Sequence, residues 1–523
     1  MFRSAVPLAL ALAHAARAGN VQLPGLALPA DAAAHRDAVV KIFTDAYDTY
    51  RDVAWGHDEL APIGRKGNDG RNGWGATIVD ALSTAKIMGL DDVFDEGVEY
   101  AKSIDFSRSK TSSTVSVFET TIRYLGGLLS AYELGGKTDE GLVRKAQEVA
   151  DKMAHAWVGN NAVPYGFLDF STDKPVIDGS NIAEAGTLIL EWARLSDYTK
   201  NDTYRALAEK SFRLIAETDD TLLPGLAGQC INPTTGKFDC RHITWGGGSD
   251  SYFEYLIKYA RLTNNADPLW VNTWKTAIDS TIQHLVKVST VGGHTFTADF
   301  DDNRRVRHMG THLGCFAGGN FIMGGKLLGN DSIVATGLKL VDGCLATYNT
   351  STGIGPEVFA YASADGNYTG GSSSAADLAY YREHGFYVYN GYAYYDLRPE
   401  VMESNFYAWR ATGDKKYYDA AVQFVDNLNK WTAVGGANAG IGDVRQTQWG
   451  QSGFFDNTES FFFAEVLKYL YLTFDDPEKF SIDEWVFNTE AHPLRAPEPL
   501  ATYEPETNSG SDARSKSSAK FRL

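Results

Sequence analysis

The sequence predicts an all-α fold in which seven helix hairpins close into a ring, and three observations carry that prediction. A turn recurs in different spellings: "IMGLDD" near 88, "ELGGKTDE" near 134, "RLSDYTKND" near 195, "RLTNNADP" near 262, "KLLGND" near 327, "RATGDKK" near 410 and "YLTFDDPEKF" near 473. Most of these turns are separated by roughly sixty residues, the length of a two-helix unit with its loops. Segments ahead of the turns, such as "SNIAEAGTLILEWARL" and "ESFFFAEVLKYLYLTF", are apolar nearly all round, as helices buried on both sides must be. Segments after them, such as "EGLVRKAQEVADKMAHAW" and "DKKYYDAAVQFVDNLNKW", are amphipathic with an outward charged face. Inner and outer helices therefore alternate. An open solenoid of such hairpins is the structural alternative, and the absence of any polar capping repeat argues against it.

Taken in order, the chain opens with "MFRSAVPLALALAHAARA", a basic residue, a short apolar run and an Ala-Arg-Ala ending. This reads as a secretory signal peptide over residues 1–18, cut after Ala18. Residues 19–494 read as one domain. Within it, "FETTIRYLGGLLSAYEL" places Ile122, Leu125, Leu129 and Leu134 near a 3.6-residue period. In "GGGSDSYFEYLIKYARL" three glycines lead into a helix whose face carries Asp250 and Glu254 beside Tyr252, Phe253 and Tyr255. Past Leu494 the Pro-, Ser- and Glu-rich segment 495–523 has too little apolar content for a core and reads as a disordered tail.

With 523 residues, 44% hydrophobic and 12% aromatic, the chain is long enough for one large repetitive domain. A formal net charge of -18 argues against nucleic acid, whose phosphates require basic patches. No segment after the signal is long and apolar enough to span a bilayer, so a soluble chain in the secretory lumen or outside the cell is expected; a monomer is expected as well. Four cysteines suit an oxidising compartment and permit three pairings; neighbouring pairs, Cys230 with Cys240 and Cys315 with Cys344, are expected first. Asn201, Asn330, Asn349 and Asn367 head N-glycosylation sequons.

Acidic residues recur at one end of the inner helices: Glu119, Asp250, Glu254, Glu400, Glu403 and Glu459 all precede their turns by about ten to fifteen residues. Helix dipoles favour acids in a first turn by about 0.3–1 kcal/mol each, so any one of them could be a cap. Taken together, beside Phe406, Phe461 and Phe462 and near Arg123 and Arg398, they describe an acid-ringed, aromatic-lined mouth. Carboxylates hydrogen-bond hydroxyls and supply acid and base, and aromatic faces stack on pyranose rings, so the chemistry indicated is that of sugars.

The motifs "FETTIRYLGGLLSAY", "SDSYFEYLIK", "HLGCFAGG", "GPE", "LRPEVMES", "ESFFFAEVLKYLY" and "VFNTEAHP" occur in this order. Together they resemble the class I α-1,2-mannosidases of glycoside hydrolase family 47, from about residue 53 to 493. The resemblance implies an (α/α)7 barrel with short β-hairpins in its loops and C-terminal region, a bound Ca²⁺, and inverting hydrolysis of terminal α-1,2-linked mannose. Its substrates would be high-mannose N-glycans, on glycoproteins or free, trimmed towards the five-mannose form. Carried over, the catalytic acids fall on Glu119, Asp250, Glu357 and Glu400. Glu119 would be the general acid, acting through a water. Glu400 would be the base, with Asp250 assisting or competing. Arg123, Gly248, Arg398, Glu403, Phe461 and Glu465 would line the mannose pocket with Glu357. Thr489 would bind the calcium, with Glu403, Glu459 and Glu490 acting through waters.

The sequence departs from the family pattern at two places. Ser83 replaces the usual second acid near Asp80, and Gly248 stands where endoplasmic-reticulum-type members carry a branch-restricting arginine, which predicts a wider cleft. A lectin-like quality-control protein of the same fold, with little or no hydrolysis, is the competing reading.

Overall fold

The computed structural model describes residues 19–504. Seven inner helices occupy Ala76–Met88, 117–134, 182–199, Asp250–Leu262, 313–327, Glu400–Thr412 and 462–474. Each touches the next, and the last packs on the first, so the ring is closed. Seven outer helices, Ala32–Ala54, Asp91–Ser103, Glu140–Met153, Thr203–Ala216, Leu269–His284, Asp331–Ala346 and Lys415–Trp431, surround them. The inner helices are buried nearly all round and the outer ones on one face, as their sequences require.

Six of the seven recurrent turns join an inner helix to its outer partner. The seventh, "YLTFDDPEKF", ends the last inner helix but leads into no outer one. The outer partner of that helix is instead the first helix of the chain, Ala32–Ala54, which packs against 467–474. The beginning and end of the chain thus close the ring together.

Three inner helices are not regular. The second opens into a π-helical turn at Thr120–Leu125, and the seventh starts with one at Phe462–Val466. The third is interrupted between Ile182–Gly186 and Ile189–Thr199. Widened turns of this kind leave backbone groups out of register, and they recur at functional sites. Here one follows Glu119 and the other contains Glu465.

Short β-hairpins fill the loops, as expected. The C-terminal one pairs Trp485–Phe487 with Pro493–Arg495. Its turn is tied to five inner helices at once, which places it inside the ring. Asn488 Nδ2 donates to the Ile122 carbonyl and to Glu191, and Thr489 N donates to the Tyr255 hydroxyl. Lys468 Nζ donates to the Ala491 carbonyl, and His492 lies between Asp80 and Ser83. The barrel floor is therefore closed by residues 488–492.

Residues 495–504 depart from the expected tail. Arg261 and Asn264 donate to the carbonyls of Pro497 and Glu498, and the buried Tyr503 donates to Asn264. Aromatic and apolar positions spaced along this stretch dock on helix ends, which the overall composition concealed. The signal peptide and residues 505–523 lie outside the described residues. Both disulfides pair as expected, Cys230 with Cys240 and Cys315 with Cys344. Asn201, Asn349 and Asn367 are exposed, whereas Asn330 is half-buried and caps the helix Asp331–Ala346. Among the described residues no helix is long and apolar enough to cross a membrane.

Candidate active site

The ring opens at one end into a cavity of about 700 Å³. Its lining brings together Glu119, Arg123, Gly248, Asp250, Arg398, Glu400, Glu403, Glu459, Phe461, Glu465, Thr489 and Glu490. Thus every catalytic, pocket and calcium-site residue expected from the sequence faces this space except one.

The exception is Glu357. It is buried, and both of its oxygens accept from Arg398 Nε, at 2.9 and 2.7 Å, but it does not reach the cavity. The reason is its place on the segment leading into strand Val358–Ala360, one layer behind Arg398. Its observed part is to hold Arg398.

Glu119 begins its helix with its backbone N–H capped by Ser116 Oγ at 3.2 Å. Arg123, one turn on, donates from Nε to Glu119 at 2.8 Å and also bonds Glu490 and Asp80. Arg71 approaches Glu119 at 3.5 Å and Glu459 at 3.8 Å. Burial alone would raise the Glu119 pKa, but the Arg123 and Arg71 charges outweigh it and hold the carboxyl below its ordinary value.

Asp250 is in the opposite state. Burial raises it to about 7, helped by the neighbouring charges of Glu254 and Glu400 and resisted by hydrogen bonds from Ser251. Glu254 is paired below it with the buried Lys258, which also lies 3.8 Å from Glu403. The second acid on that helix face, Glu254, thus meets an internal cation. Glu400 is buried too, yet His312 and Arg398 keep it below its usual range. His312 Nδ1 sits 2.8 Å from Glu400 and its Nε2 2.9 Å from the Tyr348 hydroxyl.

The floor suits a hard cation. Thr489 stands at the hairpin tip, and its hydroxyl and carbonyl oxygens accept no hydrogen bond from the described residues. Burial and mutual repulsion raise Glu403 to about 8, and push Glu465 and Glu490 well up. A crowd of buried carboxyls with an unengaged oxygen pair is the donor chemistry that calcium prefers. Among the described residues no three His, Cys, Asp or Glu side chains are placed for direct ligation. The residues therefore fit an ion held directly by Thr489 and otherwise through water.

Several contributors escaped the sequence reading. Asp58 accepts from the backbone N–H groups of Arg71, Gly73, Gly75 and Ala76 and from the Tyr124 hydroxyl, at 2.6 to 3.2 Å. It folds the glycine-rich loop that presents Arg71. The stretch "HDEL" and the run "GNDGRNGWG" were the available signal. His312 was inside a recognised motif but carried no visible partner. Ser83 Oγ lies 3.1 Å from His492 Nδ1, so the serine completes a contact with the floor without needing charge.

Gly248 also differs from expectation. Its φ is +86°, and a Cβ there would come within 2.6 Å of the Gln229 amide nitrogen. The space left by the missing side chain is taken by Gln229 rather than left open.

A closed α/α ring with an acid-lined mouth defines a carbohydrate-active barrel. Comparison with known proteins narrows this. The glycosyl hydrolase family 47 profile matches residues 42–496, and the chain belongs to that family. It is 40% identical over 518 residues to a probable mannosyl-oligosaccharide α-1,2-mannosidase 1B of Aspergillus clavatus, covering 93% of this chain and 98% of that one. A mannosyl-oligosaccharide α-1,2-mannosidase 1B of Emericella nidulans is 40% identical over 481 residues, covering 88% and 92%. The solved structure of an α-1,2-mannosidase from Trichoderma reesei superimposes with a TM-score of 0.84 at 35% identity, covering 89% of this chain and 99% of that one.

Proposed function

We propose that the protein is a calcium-dependent, inverting exo-α-1,2-mannosidase that trims high-mannose N-glycans towards the five-mannose form, in the secretory lumen or outside the cell. The observation that carries this is the contrast between neighbouring acids in one cavity: Asp250 holds a proton near neutrality while Glu400 and Glu119 are ionised. Carboxyls with separated protonation states supply the acid and base of glycoside hydrolysis. The names of the relatives support the mannose linkage.

In this reading Glu400, oriented by His312, accepts a proton from the attacking water. The water oxygen bonds the anomeric carbon as the glycosidic C–O bond breaks. The leaving oxygen takes its proton from Asp250. Glu119, the donor expected from the sequence, is held ionised between two arginines, so we give it the orientation of hydroxyls and of a relay water. Arg398 and Phe461 would hold the sugar, one by hydrogen bonds and one by its ring face. Calcium at Thr489 would supply positive charge for two sugar hydroxyls and for the surrounding carboxylates.

A lectin-like module would not require acids with contrasting protonation. Incubating the purified protein with a high-mannose glycan, with and without a chelator, tests the proposal. Release of mannose that stops on chelation is expected; binding without release favours the lectin reading.

A further inference from the structure

One side chain with no part in the proposed chemistry packs against the cavity lining from outside it. Gln229 lies across Gly248, and its Nε2 donates to the Gly247 carbonyl at 2.6 Å. Its amide oxygen and its second N–H have no partner among the described residues. Gly247 is exposed and Gly248 half-exposed, and both line the cavity two or three residues ahead of Asp250. Gln229 therefore packs against two cavity-lining glycines that lead into Asp250, and is not itself a lining residue.

Its backbone is fixed from several sides. Gln229 N donates to the His242 carbonyl at 2.9 Å, and Ile182 N donates to the Gln229 carbonyl at 2.9 Å. The next residues, Cys230–Ile231, pair with Ser180–Asn181. The Cys230–Cys240 disulfide closes the loop, and Gly228 packs so tightly on Cys240 that a Cβ there would meet its carbonyl oxygen. A stapled loop thus holds one amide against the lining glycines, with little ordering left to do on binding. Asn181, which lines the cavity, is the paired neighbour of Cys230.

We propose that Gln229 is a specificity-determining residue, whose free amide oxygen and N–H hydrogen-bond the hydroxyls of mannose rings beyond the two joined by the scissile bond, and that the Cys230–Cys240 staple positions it. One donor and one acceptor in a plane match a pair of neighbouring sugar hydroxyls. A site built to bond a hydroxyl discriminates against a branch that cannot present one there. The inference rests on the mannosidase reading and deepens it by naming the reader of branch identity.

The test compares the natural protein with Gln229→Leu, Gln229→Asn and the double variant Cys230→Ser/Cys240→Ser. Each is given α-1,2-mannobiose, which has no outer branch, and the nine-mannose glycan with products resolved by isomer. Disaccharide turnover should stay within about twofold for all. Gln229→Leu should change the relative rates of the branches by about tenfold. Gln229→Asn, which keeps the amide, and the unstapled variant should fall between it and the natural protein. An isomer order unchanged in Gln229→Leu overturns the proposal, and so does an equal loss on disaccharide and glycan. Failure of the unsubstituted protein on both substrates removes the mannosidase reading itself, and is distinguishable from either result.

Discussion

The imidazole of His312 lies between Glu400 and Tyr348, with its two nitrogens 2.8 and 2.9 Å from them. It fixes the orientation of the proposed base and keeps it ionised despite burial. In His312→Leu the Glu400 pKa should rise, because a contact that lowers it is gone. The acid limb of the rate profile should then move to higher pH, and kcat should fall roughly 10–100-fold as the carboxylate loses its aim. A pH–rate series on the variant checks both.

Glu119→Gln, Asp250→Asn and Glu400→Gln are nearly isosteric, so the ring should still fold while proton transfer or orientation fails. Each should lose at least about 10²-fold in turnover. If these acids were only helix caps, turnover would stay near normal and the melting temperature alone would fall. Measuring both on each variant separates the readings.

The ring was legible because buried inner helices and one-faced outer helices have different compositions, and because their turns recur. What the sequence did not show was the contact that completes the closure. The pairing of Ala32–Ala54 with the last inner helix joins the two ends of the chain, and no local pattern marks such a contact. The mouth acids were legible as a set. Their protonation was not, since that of Glu119, Glu400 and Glu403 depends on Arg71, His312 and Lys258, each of which comes from a different part of the chain. Glu357 and Gly248 show the same limit: each depends on a neighbour, Arg398 or Gln229, that the sequence does not place beside it.

Asp250 sets the alkaline side of the profile. A general acid works only while protonated, so activity should be lost as pH rises through about 7, the value to which burial raises this carboxyl. The base works only while ionised, so activity should also be lost as pH falls through the lowered pKa of Glu400. The kcat/KM profile of the natural protein should be bell-shaped. An alkaline limb that persists unchanged in the residual activity of Asp250→Asn would assign the proton elsewhere.

Exhaustive chelation should abolish hydrolysis and lower the melting temperature, and added calcium should restore both. A ligand that binds only the native state at about a hundred times its Kd stabilises it by about 2.7 kcal/mol. Thr489→Ala, which removes one of the two unengaged oxygens, should weaken calcium binding in a titration calorimeter without unfolding the protein.

The stereochemistry of the first product tests the central claim most directly. α-1,2-Mannobiose is mixed with the protein in an NMR tube, and the anomeric signals of released mannose are followed before mutarotation equilibrates them. Water activated by Glu400, with Asp250 protonating the leaving oxygen, attacks from the opposite face, so β-mannose should appear first. Mannose released first as the α-anomer, or none released in the presence of calcium, would contradict the account.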